Sequence, residues 1–203
     1  MRKKAVLISS IILLALASFS ISGCTFIFQK GRKTDAEKIS KLKRELTDLE
    51  KAKMQLEDQL QNEIADKQVK VEMLEKGLVI TIVSEVLFDS GKADLRIDSY
   101  QKLEKVANVL NTTVKDLNVG IEGHTDADPI KYSGWKSNWE LSTGRALSVL
   151  HYMIDDQAVV PERLSVIGFG EFHPVAANDT KENKQKNRRV EIVILPKVTK
   201  EGR

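Results

Sequence analysis

The feature that most constrains the fold of this chain is a strand that ends near a carboxylate and is followed by a helix. In residues 119–122, valine and isoleucine alternate with glycine and glutamate, which is the period-two pattern of a half-buried strand. Asn138 is a residue type that favours the N-cap, and apolar residues recur at helical spacing over 140–154. A strand, a loop and a helix in this order predict helices packed on a sheet.

This strand and this helix are expected to bring two charged residues, Asp126 and Arg145, close together. Arg145 is next to Ala146, about 100° around the helix, so it flanks the apolar stripe. A partly buried arginine without a carboxylate is unfavourable, and Asp126 follows the strand. The pattern therefore predicts that Asp126 and Arg145 pair. The spacing alone fits a purely structural pair as well as it fits a ligand site.

Several separated motifs occur in an order that resembles one family. They are Gly123-His124-Thr125-Asp126, Asn138-x-x-Leu141-Ser142-x-x-Arg145-Ala146 and Asn187-Arg188-Arg189-Val190-Glu191, together with Phe88-Asp89-Ser90-Gly91 and Gly168-Phe169-Gly170-Glu171. This set resembles the peptidoglycan-binding domain shared by the OmpA C-terminal region, Pal lipoproteins and the flagellar stator protein MotB. The resemblance covers residues 78–197 and implies a non-catalytic domain that binds the cell wall.

The order of elements predicts an α/β (α+β) fold with a βαβαββ arrangement. Strands are expected at 78–83, 118–122, 164–168 and 189–195, and helices at 97–110 and 138–154. The last strand follows its neighbour without a long helix, so we expect a mixed sheet with the helices on one face. Residues 198–203 form a short polar tail.

A long coiled-coil helix is predicted to precede this domain, over residues 35–76. The segment has neither proline nor glycine, and its leucines follow a heptad pattern at positions 42, 46, 49, 56 and 60. At 1.5 Å per residue such a helix is about 60 Å long. It is expected to make the protein a homo-oligomer. The alternative is a single solvated helix that acts as a spacer and is stabilised by Glu–Lys pairs.

The N-terminal residues resemble a bacterial lipoprotein signal. Residues 1–23 have a basic start, an apolar run and small residues at the end, and Cys24 is the only cysteine in the chain. The resemblance implies that Cys24 carries acyl chains such as palmitate, with residues 24–34 as a linker, and Thr25 favours the outer membrane. The alternative is a single-pass inner-membrane anchor, because 25 consecutive residues from Ala5 lack charge.

Composition excludes several classes of function. Arg2, Lys3 and Lys4 are three of the 32 basic residues, and the remaining 29 match the 29 acidic residues, so no nucleic-acid footprint is expected. The hydrophobic N-terminal run has no acidic residue, which argues against a proton channel. His124, Asp126 and Asp128 are metal-ligating types without supporting partners, so neither metal, cofactor nor enzymatic activity is predicted.

The family resemblance implies a site for diaminopimelate, whose free end carries an ammonium and a carboxylate on one carbon. Asp126 is expected to accept the ammonium and Arg145 to hold the carboxylate through two parallel hydrogen bonds. The N-terminus of the helix near Asn138 adds free N–H groups. The remaining residues of the predicted site are Asp89, Thr125 and Arg188.

Arg188 shares its strand face with Val190, Ile192 and Ile194, so it is expected to point to the site. A salt bridge to a loop carboxylate such as Asp179 is its alternative role.

Residues 127–137 form an insertion relative to short family members, and the roles of Trp135 and Trp139 stay open between packing and contact with sugars. The function predicted from the sequence is a tether between the outer membrane and peptidoglycan. The alternative is an envelope assembly or motility protein that acts through its coiled coil and uses the wall as an anchor.

Overall fold

The computed structural model describes residues 34–131 and 133–197. Residues 34–59 are helical (α1). The elements that follow are α2 Gln61–Ala65, β1 Val69–Leu74, β2 Gly77–Val83, α3 Ser84–Leu87, α4 Ile97–Thr112, β3 Asn118–His124, α5 Asn138–His151, a π-helix Tyr152–Asp156, a 3-10 helix Pro161–Arg163, β4 Leu164–Gly168, α6 Lys181–Asn187 and β5 Arg189–Leu195. The signal sequence, Cys24 and the polar tail lie outside the described residues.

The chain divides into two compact units, Met1–Arg44 and Glu45–Arg203. Every strand and the whole of the candidate site belong to the second unit. None of the helices within the described residues is both long and apolar enough to cross a bilayer.

The sheet has five strands in the order β1-β2-β5-β3-β4. The β3–β4 pair is parallel and the other three pairs are antiparallel, so the predicted mixed sheet is confirmed. The register aligns apolar residues across the sheet, and one such row is Val71, Ile80, Ile192 and Ile121. β3 extends two residues beyond the predicted 118–122 and ends at His124.

One hydrophobic core covers the face of the sheet that carries this row. The buried helix residues that belong to it include Leu56 and Leu60, Leu103, Val106 and Leu110, and Ala146 and Val149. They come from α1, α4 and α5 and, for Leu60, from the turn that follows α1, as expected for helices on one face. The opposite face carries a different set of residues, among them the buried charged pair Glu122 and Glu191.

The prediction of one helix over 35–76 is wrong for its C-terminal part. The helix ends at 59, and residues 69–74 form an edge strand antiparallel to β2. Val69 and Val71 are buried while Lys70 is exposed, so the period is two and not three and a half. Gly77 has a φ of +132°, and a Cβ there would lie 2.2 Å from the Ile194 carbonyl oxygen. This glycine therefore closes a hairpin and does not end a helix.

The leucines at 49, 56 and 60 are buried in the core of their own domain, so they do not form an intermolecular seam. Residues 49–60 and β1 contribute to the same hydrophobic core as the strands from residue 78 onwards, so the predicted boundary at 78 does not coincide with an edge of this core. Ile39, Leu42 and Leu46 remain exposed. Self-association stays a prediction for the segment 35–46 only.

Leu56→Ala is expected to lower the free energy of unfolding by about 3 kcal/mol, because the substitution removes a fully buried side chain and leaves a cavity. Met54 lies on the same helix but is 70% exposed, so Met54→Ala should change stability by less than about 0.5 kcal/mol. Urea unfolding of both variants checks this. Equal midpoints would show that α1 contributes nothing to the core.

Candidate functional site

A groove with a volume of about 830 Å³ opens where β3 ends and β5 begins. All six residues predicted to form a site line it, namely Asp89, Thr125, Asp126, Asn138, Arg145 and Arg188. The sheet explains the grouping. β3 and β5 are antiparallel with His124 opposite Arg189, so the loop after β3 meets the residue before β5 at one edge.

Asp126 pairs with Arg188 and not with Arg145. Arg188 Nη1 donates to Asp126 Oδ2 at 2.6 Å, and Arg188 Nε donates to Glu85 Oε1 at 2.7 Å. Burial lowers the pKa of Arg188, but the hydrogen bonds to Asp126 and Glu85 outweigh it and leave the pKa raised. The predicted Asp126–Arg145 pair is therefore wrong as a direct contact, although both residues line the groove.

The alternative partner considered for Arg188 is also wrong, because the ion pairs of Arg188 among the described residues are with Asp126 and Glu85, while Asp179 accepts a hydrogen bond from Asn183 Nδ2 at 2.9 Å. Arg188 does point to the site, as the parity of its strand predicts.

Arg145 places a buried guanidinium in the wall of the groove. It is 4% exposed, its Nε donates to the Lys92 carbonyl at 2.9 Å, and its guanidinium carbon lies 5.3 Å from the Phe88 ring centre. None of the ion pairs formed among the described residues includes Arg145. Burial lowers the pKa of Arg145 to about 10, so it remains a cation at neutral pH. Glu85 and Asp126 act on this pKa in the opposite direction through space, but both carboxylates contact Arg188, so a carboxylate entering the groove could contact Arg145 directly.

Asn138 organises the loop that carries Asp126. The residue that caps α5 is Ser137, whose Oγ accepts a hydrogen bond from Glu140 N at 3.4 Å, so the prediction that Asn138 is the N-cap is wrong. Asn138 Nδ2 donates to the Asp128 carbonyl at 3.1 Å and also to Glu171. These bonds fix the 126–128 segment against the N-terminus of α5.

Asp89 lies at the exposed rim of the groove, where Arg96 Nη1 donates to its Oδ1 at 3.1 Å. Deeper in the groove wall, the hydroxyls of Ser84 and Thr125 are buried and have no hydrogen-bond partner among the described residues. Ser84 and Glu85 are groove residues that the sequence analysis missed. They belong to a short helix between β2 and the Phe88 motif, and no local pattern marks them as facing Asp126.

The insertion 127–137 forms one wall of the groove through Pro129, Ile130 and Lys131. Trp135 anchors it, since its Nε1 donates to the Gly91 carbonyl at 2.9 Å. Trp135 therefore has a packing role. Trp139 is different, because its ring is half exposed and stacks on Phe172.

The face of the sheet opposite the core holds a buried charged network. Glu122 and Glu191 are directly opposite each other in β3 and β5, and Lys76 Nζ lies 2.6 and 2.7 Å from their carboxylates. His124 is buried beside them, with Nε2 3.9 Å from Glu122 Oε2. His124, Glu122 and Glu191 are all residue types that can bind a metal, and they form one cluster. Asp126, which the sequence groups with His124, lies instead in the wall of the groove. Lys76 already supplies a counter-ion to both glutamates.

Acidification is expected to destabilise the fold through His124. Burial lowers the pKa of this imidazole, so below the unfolded-state value near 6.5 the unfolded chain binds more protons than the folded one. Stability should therefore fall between pH 7.5 and 5.5, by up to about 1.4 kcal/mol. Urea unfolding of wild type and His124→Gln at both pH values measures this. The same loss in both proteins would contradict the role of His124.

Known proteins resemble this chain in sequence and in fold. The sequence profile of the OmpA family matches residues 87–188, which is half of the chain. The chain belongs to the OmpA family. The chain is 39% identical over 150 residues to Motility protein B of Bacillus subtilis, an alignment that covers 74% of this chain and 57% of that relative. The chain spans about half the length of the curated relatives it matches.

Solved structures agree with the OmpA-like fold. The cell wall anchor of the T6SS from Pseudomonas aeruginosa superposes with a TM-score of 0.62 and 32% identity, covering 69% of this chain and 96% of that one. The periplasmic domain of Helicobacter pylori MotB gives a TM-score of 0.60 and 29% identity, covering 65% and 84%. These similarities place the chain in the OmpA-like peptidoglycan-binding family.

Proposed function

We propose that this protein binds peptidoglycan without catalysing a reaction, and that its groove takes the zwitterionic end of diaminopimelate in the stem peptide. The observation that carries the proposal is the buried guanidinium of Arg145 in the groove wall, which forms no ion pair within the part of the chain that the structure describes. A buried cation without a counter-ion is unfavourable, and a ligand carboxylate removes that penalty when it binds. The planar guanidinium offers two parallel N–H donors that match a carboxylate.

The remaining charges of the groove support a zwitterion over a ligand with a large net charge. Asp126 lies within the same groove and is held by Arg188, so a carboxylate for the ligand ammonium is fixed in place. The charged residues that line the groove are four acids and four bases, namely Glu85, Asp89, Asp126 and Asp128, and Lys92, Lys131, Arg145 and Arg188. A neutral ligand with separated charges complements such a surface.

Isothermal titration with two synthetic stem tripeptides tests the proposal. One ends in diaminopimelate and the other in lysine, which has the same side-chain ammonium but lacks the carboxylate beside it. The diaminopimelate peptide is expected to bind at least about 30-fold more tightly, because the lysine peptide lacks about 2 kcal/mol of charge-assisted hydrogen bonding. Equal affinity for the two peptides would refute the assignment of the groove.

The cellular role that we propose is an outer-membrane tether, with acyl chains on Cys24 and the domain on the periplasmic side. The support is that the single cysteine of the chain falls at the end of a lipoprotein-like signal. The mass of the mature N-terminus tests this, because a triacylated Cys24 supports the lipoprotein and an uncleaved signal supports the single-pass anchor.

Oligomerisation through residues 35–46 would strengthen such a tether. Ile39, Leu42 and Leu46 are exposed at heptad spacing, and linking several domains raises the effective concentration of each at the wall. The alternative function, in which this segment binds an envelope assembly or motility partner, uses the same exposed residues. Deleting 35–44 separates the two, since a tether loses only its avidity for sacculi, whereas the alternative function also loses its protein partner.

A further inference from the structure

A buried cluster on the face of the sheet opposite the core has no part in the proposed function. We define the Glu–His–Glu cluster as Glu122, His124 and Glu191, which are 9%, 3% and 6% exposed. One carboxylate oxygen from each glutamate and one ring nitrogen of His124 all lie within 4.8 Å of one another. Glutamate oxygen and histidine nitrogen are ordinary ligands of divalent transition-metal ions.

His124 gives an independent indication that this cluster receives a ligand. Neither of its ring nitrogens has a hydrogen-bond partner from residues 34–131 and 133–197, although the side chain is buried. A neutral imidazole carries one donor and one acceptor, so burying both unpaired is unfavourable. Its Nε2 lies 3.9 Å from Glu122 Oε2, which is too far for a hydrogen bond. This distance is close to the separation of about 3.4 Å between two ligand atoms of a tetrahedral zinc ion.

The sheet holds the three ligands in a fixed arrangement. Glu122 and Glu191 are register partners in the antiparallel β3–β5 pair, and His124 comes two residues after Glu122, on the same face of β3. Arg189 Nε donates to Oε1 of Glu191, which leaves Oε2 free of this bond and close to Lys76. Local spacing does not reveal the cluster, because Glu191 comes from a strand that is distant in the chain.

Lys76 marks a position where a cation sits in this cluster. Its Nζ lies 2.6 Å from Glu122 Oε2 and 2.7 Å from Glu191 Oε2, so the two carboxylates share one positive charge. Lys76 belongs to the two-residue turn between β1 and β2, and its side chain is 38% exposed. The ammonium can therefore turn out into water. It leaves the ring nitrogens of His124 unpaired, whereas a metal ion would bind all three residues of the cluster.

We propose that the Glu–His–Glu cluster binds a divalent transition-metal ion, of which Zn²⁺ fits best, in exchange for the ammonium of Lys76. Zinc accepts one imidazole and two carboxylates, and a water molecule completes its four-coordination. Magnesium and calcium prefer ligand sets made of oxygen alone. The cluster does not line the groove, so this inference does not depend on the proposed function. Because the ligands come from β3 and β5, the ion would crosslink the two strands whose ends form the groove.

Isothermal titration of the full-length protein in detergent with Zn²⁺, after EDTA treatment and dialysis, tests the inference. Wild type is expected to bind one ion per chain. Glu122→Gln and His124→Gln should each weaken binding by at least about 10-fold, because even the loss of a residue that only supports a ligand costs this much. Lys76→Met should strengthen binding by about fivefold, since it removes an ion pair that competes with the metal.

His151→Gln provides the matched control. His151 also lies near a carboxylate, with Nδ1 3.7 Å from Asp155 Oδ2, but both side chains are 66% exposed. This variant should bind Zn²⁺ as wild type does. Because Lys76→Met is expected to raise the affinity, a loss of folding cannot imitate its result. Failure of wild type to bind, unchanged affinity in His124→Gln, or no gain in Lys76→Met would each overturn the inference.

Discussion

Arg145→Ala is expected to abolish binding to isolated sacculi and to weaken binding of the diaminopimelate tripeptide by about 30-fold or more. Truncating one partner of a buried charge pair typically costs about 2–5 kcal/mol, and 2 kcal/mol corresponds to about 30-fold. Arg145→Lys should recover only part of the affinity, because a lysine keeps the charge and lacks the two-pronged donor. Co-sedimentation with sacculi and titration with the tripeptide measure both effects.

The free energy of unfolding distinguishes a binding role of Arg145 from a structural one. In the free protein its guanidinium has a carbonyl and the face of Phe88 as neighbours and no ion pair within the described residues. Removing an unpaired buried charge should therefore leave stability within about 1 kcal/mol of wild type. A variant that binds sacculi normally, or one that simply unfolds, would contradict the assignment.

Gly123→Ala is expected to destabilise the protein by about 3 kcal/mol or more. A Cβ at this position would lie 2.0 Å from the Ser142 carbonyl oxygen and 2.7 Å from its carbon, so α5 would have to move away from β3. Overpacking of this kind usually costs 1–3 kcal/mol, and more where the obstacle is backbone. Because α5 carries Arg145 and β3 leads to Asp126, the same movement should weaken ligand binding.

Gly120→Ala on the same strand is the control for this substitution. A Cβ there would have Ser165 Oγ at 3.7 Å and Val193 Cβ at 4.0 Å as its nearest atoms, which are ordinary contacts. Alanine also reduces the conformational freedom of the unfolded chain, so stability should be unchanged or slightly increased. Urea unfolding of the two variants makes the comparison. If Gly123→Ala is as stable as Gly120→Ala, α5 does not pack on β3 as closely as described.

The sequence was sufficient to predict four of the five strands and six residues of the groove, because these follow from local patterns and from the order of the motifs. Alternation located β3, a run of β-branched residues located β2, and parity along β5 placed Arg188 on the groove side. The motif order then predicted which residues of separate elements meet. All six predicted residues do line one groove.

The pairing of charges within the groove could not be obtained from the same patterns. Spacing identified Asp126 and Arg145 as neighbours, but only the register of β3 against β5 brings Arg188 closer to Asp126. Glu85 is the second partner of Arg188 from more than 100 residues away in the chain, and no local signal links the two. Because Arg188 contacts both carboxylates, Arg145 forms no ion pair among the described residues.

Two local predictions failed because two sequence patterns in the same segment indicated different structures equally well. Ser137 and Asn138 are both favoured N-cap residues, and the extended backbone of Ser137 decided between them. Over residues 69–74, a helical and a strand period both fitted the apolar positions, and pairing with β2 favoured the strand. Helix α5 likewise continues as a π-helix from Tyr152 to Asp156, which periodicity does not distinguish from an α-helix.

A crystal structure of the protein with the diaminopimelate tripeptide bound tests the central claim most directly. We predict that the carboxylate on the side-chain end of diaminopimelate lies within about 3 Å of both terminal nitrogens of Arg145, with its ammonium facing Asp126. A peptide bound elsewhere, with the guanidinium of Arg145 still lacking an anion, would contradict it.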